Sequence, residues 1–510
     1  MKRSWLRALV GRRIVIFLLL ILQAALMVYI VISSSRTSQI IDVSLRLVSA
    51  FVALFMINRE MNASYKLAWI FMILLLPLFG GLFYLTCVCQ ASTRRFKKDV
   101  TAIDARCKHY LKPEPDCLNE LADAGKAVST ARYLQNCAGF PLCKDTETQF
   151  LCPGERFFEA ALRELEQAKR YIFLEYYIIR DGEMWNAVLE ILKRKAAEGV
   201  DVRVLYDDFG CFLSFSRRYR RYLQECGIKC RVFNSFRPIL TTVQNNRDHR
   251  KIMVIDGRVG FTGGINLADE YINRDSPLGH WKDAAILLRG NAVKNLVGIF
   301  FSLWYRRGDA PEDETLFLPE PCGALPEHPE GYCIPFSDSP MDRESVGERV
   351  YLQMINHATR YIDIATPYLV IDDGVMEALT AAAKGGIDVR VMVPARGDNP
   401  LVQRTMRSYF RRLLRAGVKL YEYTPGFVHA KTIVTDDECA VVGTINFDYR
   451  SLYLQFECGV WMYKTAAVAQ VRDDFLKDLP RCRALSEADC RKNVFSGLVD
   501  EILRLFAPLM

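Results

Sequence analysis

The chain has 510 residues, 51% hydrophobic and 25% charged, with a formal net charge of +8. That length exceeds one hydrophobic core, so two or more domains are expected, and the balance of residues excludes a disordered chain. The modest charge excess fits an anionic membrane or a phosphate-bearing substrate without selecting either. Sixteen cysteines without one C-x-x-C pair exclude ordinary zinc-ribbon and thioredoxin spacing, and read as reduced, mostly buried thiols.

Residues 14–32 form an apolar run broken only by Gln23. As a helix it would be roughly 28 Å long, enough to cross a bilayer core. Residues 67–89 form a second uncharged run, and Pro77, Gly80 and Gly81 within it are tolerated in a membrane helix. Between them, residues 47–57 are apolar but only about half a span, with Asp42 and Arg46 before and Arg59 after. This middle segment is expected at the interface or packed beside the spans. Lys2, Arg3, Arg7, Arg12 and Arg13 precede the first run, and Arg94, Arg95, Lys97 and Lys98 follow the second. Both basic flanks favour the cytoplasm, which requires an even number of crossings. Residues 1–98 are therefore expected to form an anchor of two transmembrane helices, with the remainder of the chain cytoplasmic. A cleaved signal peptide competes for the first run, but the run's length and the apolar run that follows favour retention.

Residues 99–150 carry scattered cysteine, proline and charge and read as a connecting segment. The sequence then repeats itself. AALRELEQAKRYIFLEYYI (160–178) aligns with VYLQMINHATRYIDIATPY (350–368), GVDVRVLYDD (199–208) with GIDVRVMVPA (386–395), and RRYLQECGIKCRVF (220–233) with RRLLRAGVKLYEY (411–423). Each block is an amphipathic helix leading to an apolar strand, or the strand that follows one. The expected fold is α/β: two duplicated domains, 151–325 and 326–510, packed around one shared site.

The next block of each half carries the chemistry. NRDHRKIMVIDGRVGFTGGIN (246–266) and GFVHAKTIVTDDECAVVGTIN (426–446) each contain H-x-K-x4-D: His249, Lys251 and Asp256, then His429, Lys431 and Asp436. Gly263 and Asn266, then Gly443 and Asn446, follow at equal offsets. IMVID and TIVTD read as strands, so His and Lys, two residues apart, share a face. Asp256-Gly257 signals a hairpin that returns the asparagine towards them. An imidazole, an ammonium and an amide, supplied twice, suit phosphodiester transfer. Lysine and asparagine stabilise phosphate oxygens, one histidine attacks phosphorus, and the other moves the proton. One histidine is expected to start neutral and the other protonated. No cofactor is needed and no metal-ligand cluster is evident.

Two acids on strand-like segments, Asp283 in WKDAAILLRG and Glu457 in LQFECGVWMY, are expected to support the histidines. Asp256 and Asp436 end their strands, and are candidate catalytic residues, turn formers or charge partners for neighbouring basic groups. His109, His280, His328 and His357 lack such a setting. Val494, Leu498, Ile502 and Phe506 give the last stretch (494–510) an amphipathic helical spacing, for packing on the second domain or for membrane contact.

At the twin motifs the chain resembles the phospholipase D superfamily, and the apolar segments with GGIN and NFDYRS resemble the bacterial cardiolipin synthases. The resemblance covers nearly the whole chain. It implies a phosphatidyltransferase that converts two phosphatidylglycerol molecules into cardiolipin and glycerol through a phosphatidyl-histidine. It further implies a multi-pass place in a bacterial cell membrane, anionic lipids as partners and no role for nucleic acid. By resemblance His249 is the nucleophile and His429 the acid/base, whereas the symmetry of the motifs leaves the roles open. The residue two before the asparagine is Gly264 in one motif and Thr444 in the other, which offers a phosphate contact from a hydroxyl on one side only. A phospholipase D hydrolase or a phosphatidylserine synthase would use the same residues. From another class, an inactive membrane scaffold is opposed by two intact motifs.

Overall fold

The computed structural model describes residues 18, 21–26, 28, 29, 32, 33, 35–59, 61–76, 80, 81, 84, 91–114, 116–122, 125–212, 214–235, 242–306, 309, 312, 317, 318 and 329–509. It divides into two units, 98–235 with 246–494, and 1–97 with 236–245 and 495–510.

In the larger unit, the β-branched segments flanking the histidines lie inside two mixed sheets. The first runs in the order Thr146–Leu151, Ala285–Gly290, Val259–Gly263, Lys251–Ile255, Tyr171–Tyr176, Asp201–Asp207, Lys229–Phe233. The second runs Tyr332–Asp338, Glu457–Tyr463, Cys439–Gly443, Thr432–Thr435, Tyr361–Ala365, Asp388–Pro394, Lys419–Tyr423, with Cys482–Ala484 added at the edge. Seven strands thus recur in the same order, and the duplication read from three sequence blocks extends across each sheet. In each sheet one side carries three parallel strands joined by helices, and the centre carries the antiparallel hairpin of the motif. The strands that follow the histidines are buried along their whole length, so apolar residues occupy both faces.

One boundary differs from expectation. Thr146–Leu151, at the end of the supposed connecting segment, is an edge strand of the first sheet, antiparallel to Ala285–Gly290. Its first four residues are polar and it lacks a counterpart in the repeat blocks, so no apolar pattern marks it as a strand. Upstream, Ala91–Tyr110 and Ala127–Asn136 are helices, and the backbone of Cys143 exchanges hydrogen bonds with that of Cys333, both thiols being free.

The two halves exchange backbone contacts. His280–Lys282 pairs in parallel with Gly426–Val428, and Asp248 bridges Phe456. Lys282, buried from the first half, pairs with Asp474 and, at 2.7 Å, with Asp478 of the second.

In the smaller unit, residues 47–57 are not half a span. They are the latter part of the 22-residue helix Arg36–Ile57, which is long and apolar enough to cross a membrane. Asp42 and Arg46 made the run look interrupted. They lie one turn apart and pair with each other at 2.9 Å, so the helix continues through them. Val43, Leu47, Phe51 and Leu54 are exposed along it. The following helix, Ala63–Leu75, covers the start of the run at 67–89, and Gly80, Gly81 and Tyr84 are also helical. Met56, Ile73 and Tyr84 form a small buried cluster there. Of the run at 14–32, residues 18, 21–26, 28, 29 and 32 are helical. Its remaining residues, the basic residues before it and most of residues 77–90 lie outside the described residues. The expected amphipathic helix is Val494–Phe506. Phe506 rests edge-on against Phe71 at 6.1 Å, while Val494, Phe495, Leu498 and Ile502 are exposed.

Candidate active site

Each motif starts where a strand of its own sheet meets a segment from the other half. The backbone N–H of His249 donates to Phe456 O at 2.9 Å, and that of His429 to Lys282 O at 2.7 Å. The residue after each acceptor is an acid. The crossing strands therefore deliver Glu457, from the second half, to the first histidine, and Asp283, from the first half, to the second.

Nδ1 of His249 lies 2.9 and 3.0 Å from the two Glu457 oxygens, and Nδ1 of His429 lies 2.6 Å from Asp283 Oδ2. Both acids are fully buried. A carboxylate facing Nδ1 assigns the ring hydrogen to that nitrogen and leaves Nε2 as the reactive atom. Sequence reasoning named both acids. Their exchange between halves follows from pairing across 208 and 146 residues and has no local signal.

Lys251 and Lys431 are buried. Lys251 Nζ donates to His249 O at 2.6 Å, Lys431 Nζ donates to His429 O, and Lys431 Nζ lies 2.9 Å from Nδ1 of His429. Burial lowers the lysines to about 8 and about 7, respectively. Burial and then the lysine charges hold His249 well below its ordinary value and His429 at about 4. Burial also raises Glu457 to about 7, while the neighbouring cations outweigh burial at Asp283 and lower it. Each histidine feels the lysine of the other motif, so the two form one electrostatic site. Desolvation and two lysines favour the neutral form of both. This departs from the expected pairing of one neutral and one protonated imidazole.

The other expected residues divide. Asp256 accepts from the backbone N–H groups of Lys169, Arg170 and Tyr171 at 2.7–2.9 Å. Asp436 accepts from those of Thr359, Arg360 and Tyr361 at 2.6–3.0 Å, and from the Thr359 hydroxyl. Both adopt positive φ at the far end of the hairpin. They tie each helix–strand junction to the turn and do not reach the imidazoles, so they are structural members of the motif. Thr444 Oγ1 donates to Glu457 and receives the Cys458 N–H at 3.0 Å, so the hydroxyl holds the acid instead of the expected phosphate. At the matching position a Cβ on Gly264 would stand 2.0 Å from Asp283 Oδ1. The glycine admits the shorter acid, and the threonine steadies the longer one.

Asn266 is committed to the fold: its Oδ1 accepts from Ile178 N at 3.0 Å and its Nδ2 donates to Tyr271 Oη at 2.7 Å. Asn446 is buried, and its Oδ1 has no partner among the described residues. Aromatic rings wall the imidazoles. Tyr177 meets His249 edge-on at 5.2 Å, and Tyr271 and Trp281 each lie 5.4 Å from His429. Neither tyrosine stood out in the sequence. Among the described residues no group of three or more His, Cys, Asp or Glu side chains could hold a metal ion.

A sequence model described as the cardiolipin synthase, phospholipase D-like domain matches residues 161–297 and 351–479. A Geobacillus thermodenitrificans cardiolipin synthase is 36% identical over 90% of this chain and 92% of its own length. The chain belongs to the cardiolipin synthase family. An uncharacterised Streptococcus mutans serotype c protein is 39% identical over 90% of this chain and 99% of its own. A phospholipase D-nuclease N-terminal model matches residues 47–86, which include the end of the helix Arg36–Ile57. The phosphatidylserine synthase of Haemophilus influenzae Rd KW20 shares the fold of the family's duplicated halves, with a TM-score of 0.56 at 16% identity, over 75% of this chain and 98% of that one.

Proposed function

We propose that the protein is a membrane-anchored cardiolipin synthase that joins two phosphatidylglycerol molecules and releases glycerol. The observation that carries this reading is the crossed pair of imidazoles, each oriented through Nδ1 by a buried acid and flanked by a buried lysine. Nε2 of His249 attacks phosphorus. A P–N bond forms, the P–O bond to glycerol breaks, and Nε2–H of His429 protonates the leaving oxygen. The terminal hydroxyl of a second phosphatidylglycerol then gives its proton to His429 and attacks phosphorus. The P–N bond breaks and cardiolipin leaves. Lys251, Lys431 and Asn446 stabilise charge on the phosphoryl oxygens. An arriving phosphodiester anion raises the depressed histidine values, so the proton that His429 donates enters with substrate. The choice of His249 as nucleophile rests on the family, and it is supported by the additional charge of Arg450, which favours an unprotonated His249.

Purified protein given phosphatidylglycerol alone is expected to yield cardiolipin and glycerol in equal amounts; phosphatidic acid as the main product would instead establish a hydrolase.

The anchor is read as multi-pass in a bacterial cell membrane. Arg36–Ile57 takes the place of the run at 14–32 as the outward crossing, the run at 67–89 returns, and exposed Arg94, Arg95, Lys97 and Lys98 keep the catalytic halves cytoplasmic. In a cysteine-free background, an impermeant thiol reagent is expected to label Asn62→Cys in intact cells and to spare Lys98→Cys. The opposite pattern would reverse the orientation.

A further inference from the structure

Asn446 is followed four residues later by Arg450, in the short helix Tyr449–Tyr453. Asp448 caps that helix by accepting from Ser451 N at 2.7 Å, and Arg450 O accepts from both Leu454 N and Gln455 N at 3.0 Å. This turn feeds directly into the segment fixed on the first motif. Asn246 Nδ2 donates to Leu454 O at 2.8 Å, and His249 N donates to Phe456 O. The turn that carries Arg450 is thereby fixed to the first motif, and the Arg450 charge acts on His249 and Tyr177.

Other arginines near this motif are spent. Arg247 is bound by Asp207 at 2.9 Å, and Arg250 by Glu175 at 2.6 Å. Arg450 is half-buried and has no side-chain hydrogen bond or ion pair among the described residues. The position four after Asn266 in the first motif reverses the charge. It is Glu270, already neutralised by Arg180 at 2.8 Å. Among the described residues of the site, Arg450 is therefore the cation outside the two lysines that has no ion pair, on the His249 side, with Asp448 as its nearest acid in sequence.

We propose that Arg450 binds the phosphodiester of the acceptor lipid. This rests on the reading of the protein as a synthase that uses two phosphatidylglycerols. The reacting phosphate has Lys251 and Lys431 for its charge. Once the phosphatidyl group is on His249, the incoming glycerol hydroxyl brings a second phosphodiester three carbons away, which neither water nor a simple alcohol possesses. A free guanidinium at the edge of the site matches that second anion and selects an anionic lipid acceptor over hydrolysis.

The test compares two acceptors in phosphatidylglycerol micelles. Cardiolipin formation reports the anionic acceptor, and phosphatidylbutanol formation in excess 1-butanol reports a phosphate-free one. Arg450→Gln is expected to lower cardiolipin formation by at least about tenfold and butanol transfer by a much smaller factor, with Arg450→Lys between. Equal losses in both reactions, or none in either, would overturn the role of Arg450. A parent protein that performs butanol transfer without making cardiolipin would instead overturn the synthase reading on which the role depends.

Discussion

The two motifs agree at the atoms that face substrate and part company one layer behind them. Behind His249, Arg250 is buried with Glu175 at 2.6 Å, lies 3.5 Å from Asp248, and donates to Ser302 at 3.1 Å. Sheet register identifies the counterparts. Glu175 pairs with Ile252, and Ala365 with Thr432, each partner standing three residues after its histidine. Glu175, Asp248 and Arg250 thus correspond to Ala365, Val428 and Ala430, and Ala365 and Val428 belong to an apolar cluster. One strand is backed by a buried ionic group and its twin by hydrocarbon. The chemistry constrains the imidazole, ammonium and acid, whereas either backing holds the strand. An ionic backing is intolerant of partial change, because removing one charge strands the others.

The largest expected effect tests the agreement at the front. His249→Ala and His429→Ala should each reduce turnover by about 10³-fold or more, and near-normal activity in either would break the equivalence of the motifs. The next tests the difference behind. Arg250→Ala should lower unfolding stability by about 3–5 kcal/mol, while the combined change Glu175→Ala, Asp248→Val and Arg250→Ala, which copies the second half, should recover most of it. A triple variant less stable than the single one would show that the ionic group is not interchangeable.

A smaller effect concerns pH. Lys251 and Lys431, lowered by burial to about 8 and about 7, lose their charge as pH rises through those values. Initial-rate measurements should show kcat/KM falling on the alkaline side of neutrality, and Lys431→Arg should move that fall upward, since arginine stays charged. A profile flat to pH 10 would contradict the buried setting of both lysines. The smallest effect is at Thr444→Val. Losing the hydroxyl that steadies Glu457 should cost turnover a few-fold, more than a comparable change at the glycine-backed Asp283 side can reveal. Unchanged kcat would remove Thr444 from the support of His249.

Much of this was legible in the residues. Asp256-Gly257 announced a hairpin, and both residues take positive φ there. The spacing of His, Lys and Asn, and the acids on the later strands, located the site. What escaped depended on distant partners. Asp256 and Asp436 resemble catalytic acids until the N–H groups of residues 169–171 and 359–361 are seen to occupy them. Thr444 resembles a phosphate ligand until Glu457 is placed beside it. Asp42 and Arg46 resemble an interruption until one helical turn joins them.

The exchange of acids has a consequence during synthesis. A ribosome that has made the whole first half has produced His249 but not Glu457, which lies 208 residues further on. The nascent chain therefore exposes no finished catalytic centre to the lipids around it. A product terminated before Glu457 lacks the acid that orients His249, and the site is complete only when the strand Glu457–Tyr463 has been laid against the first half.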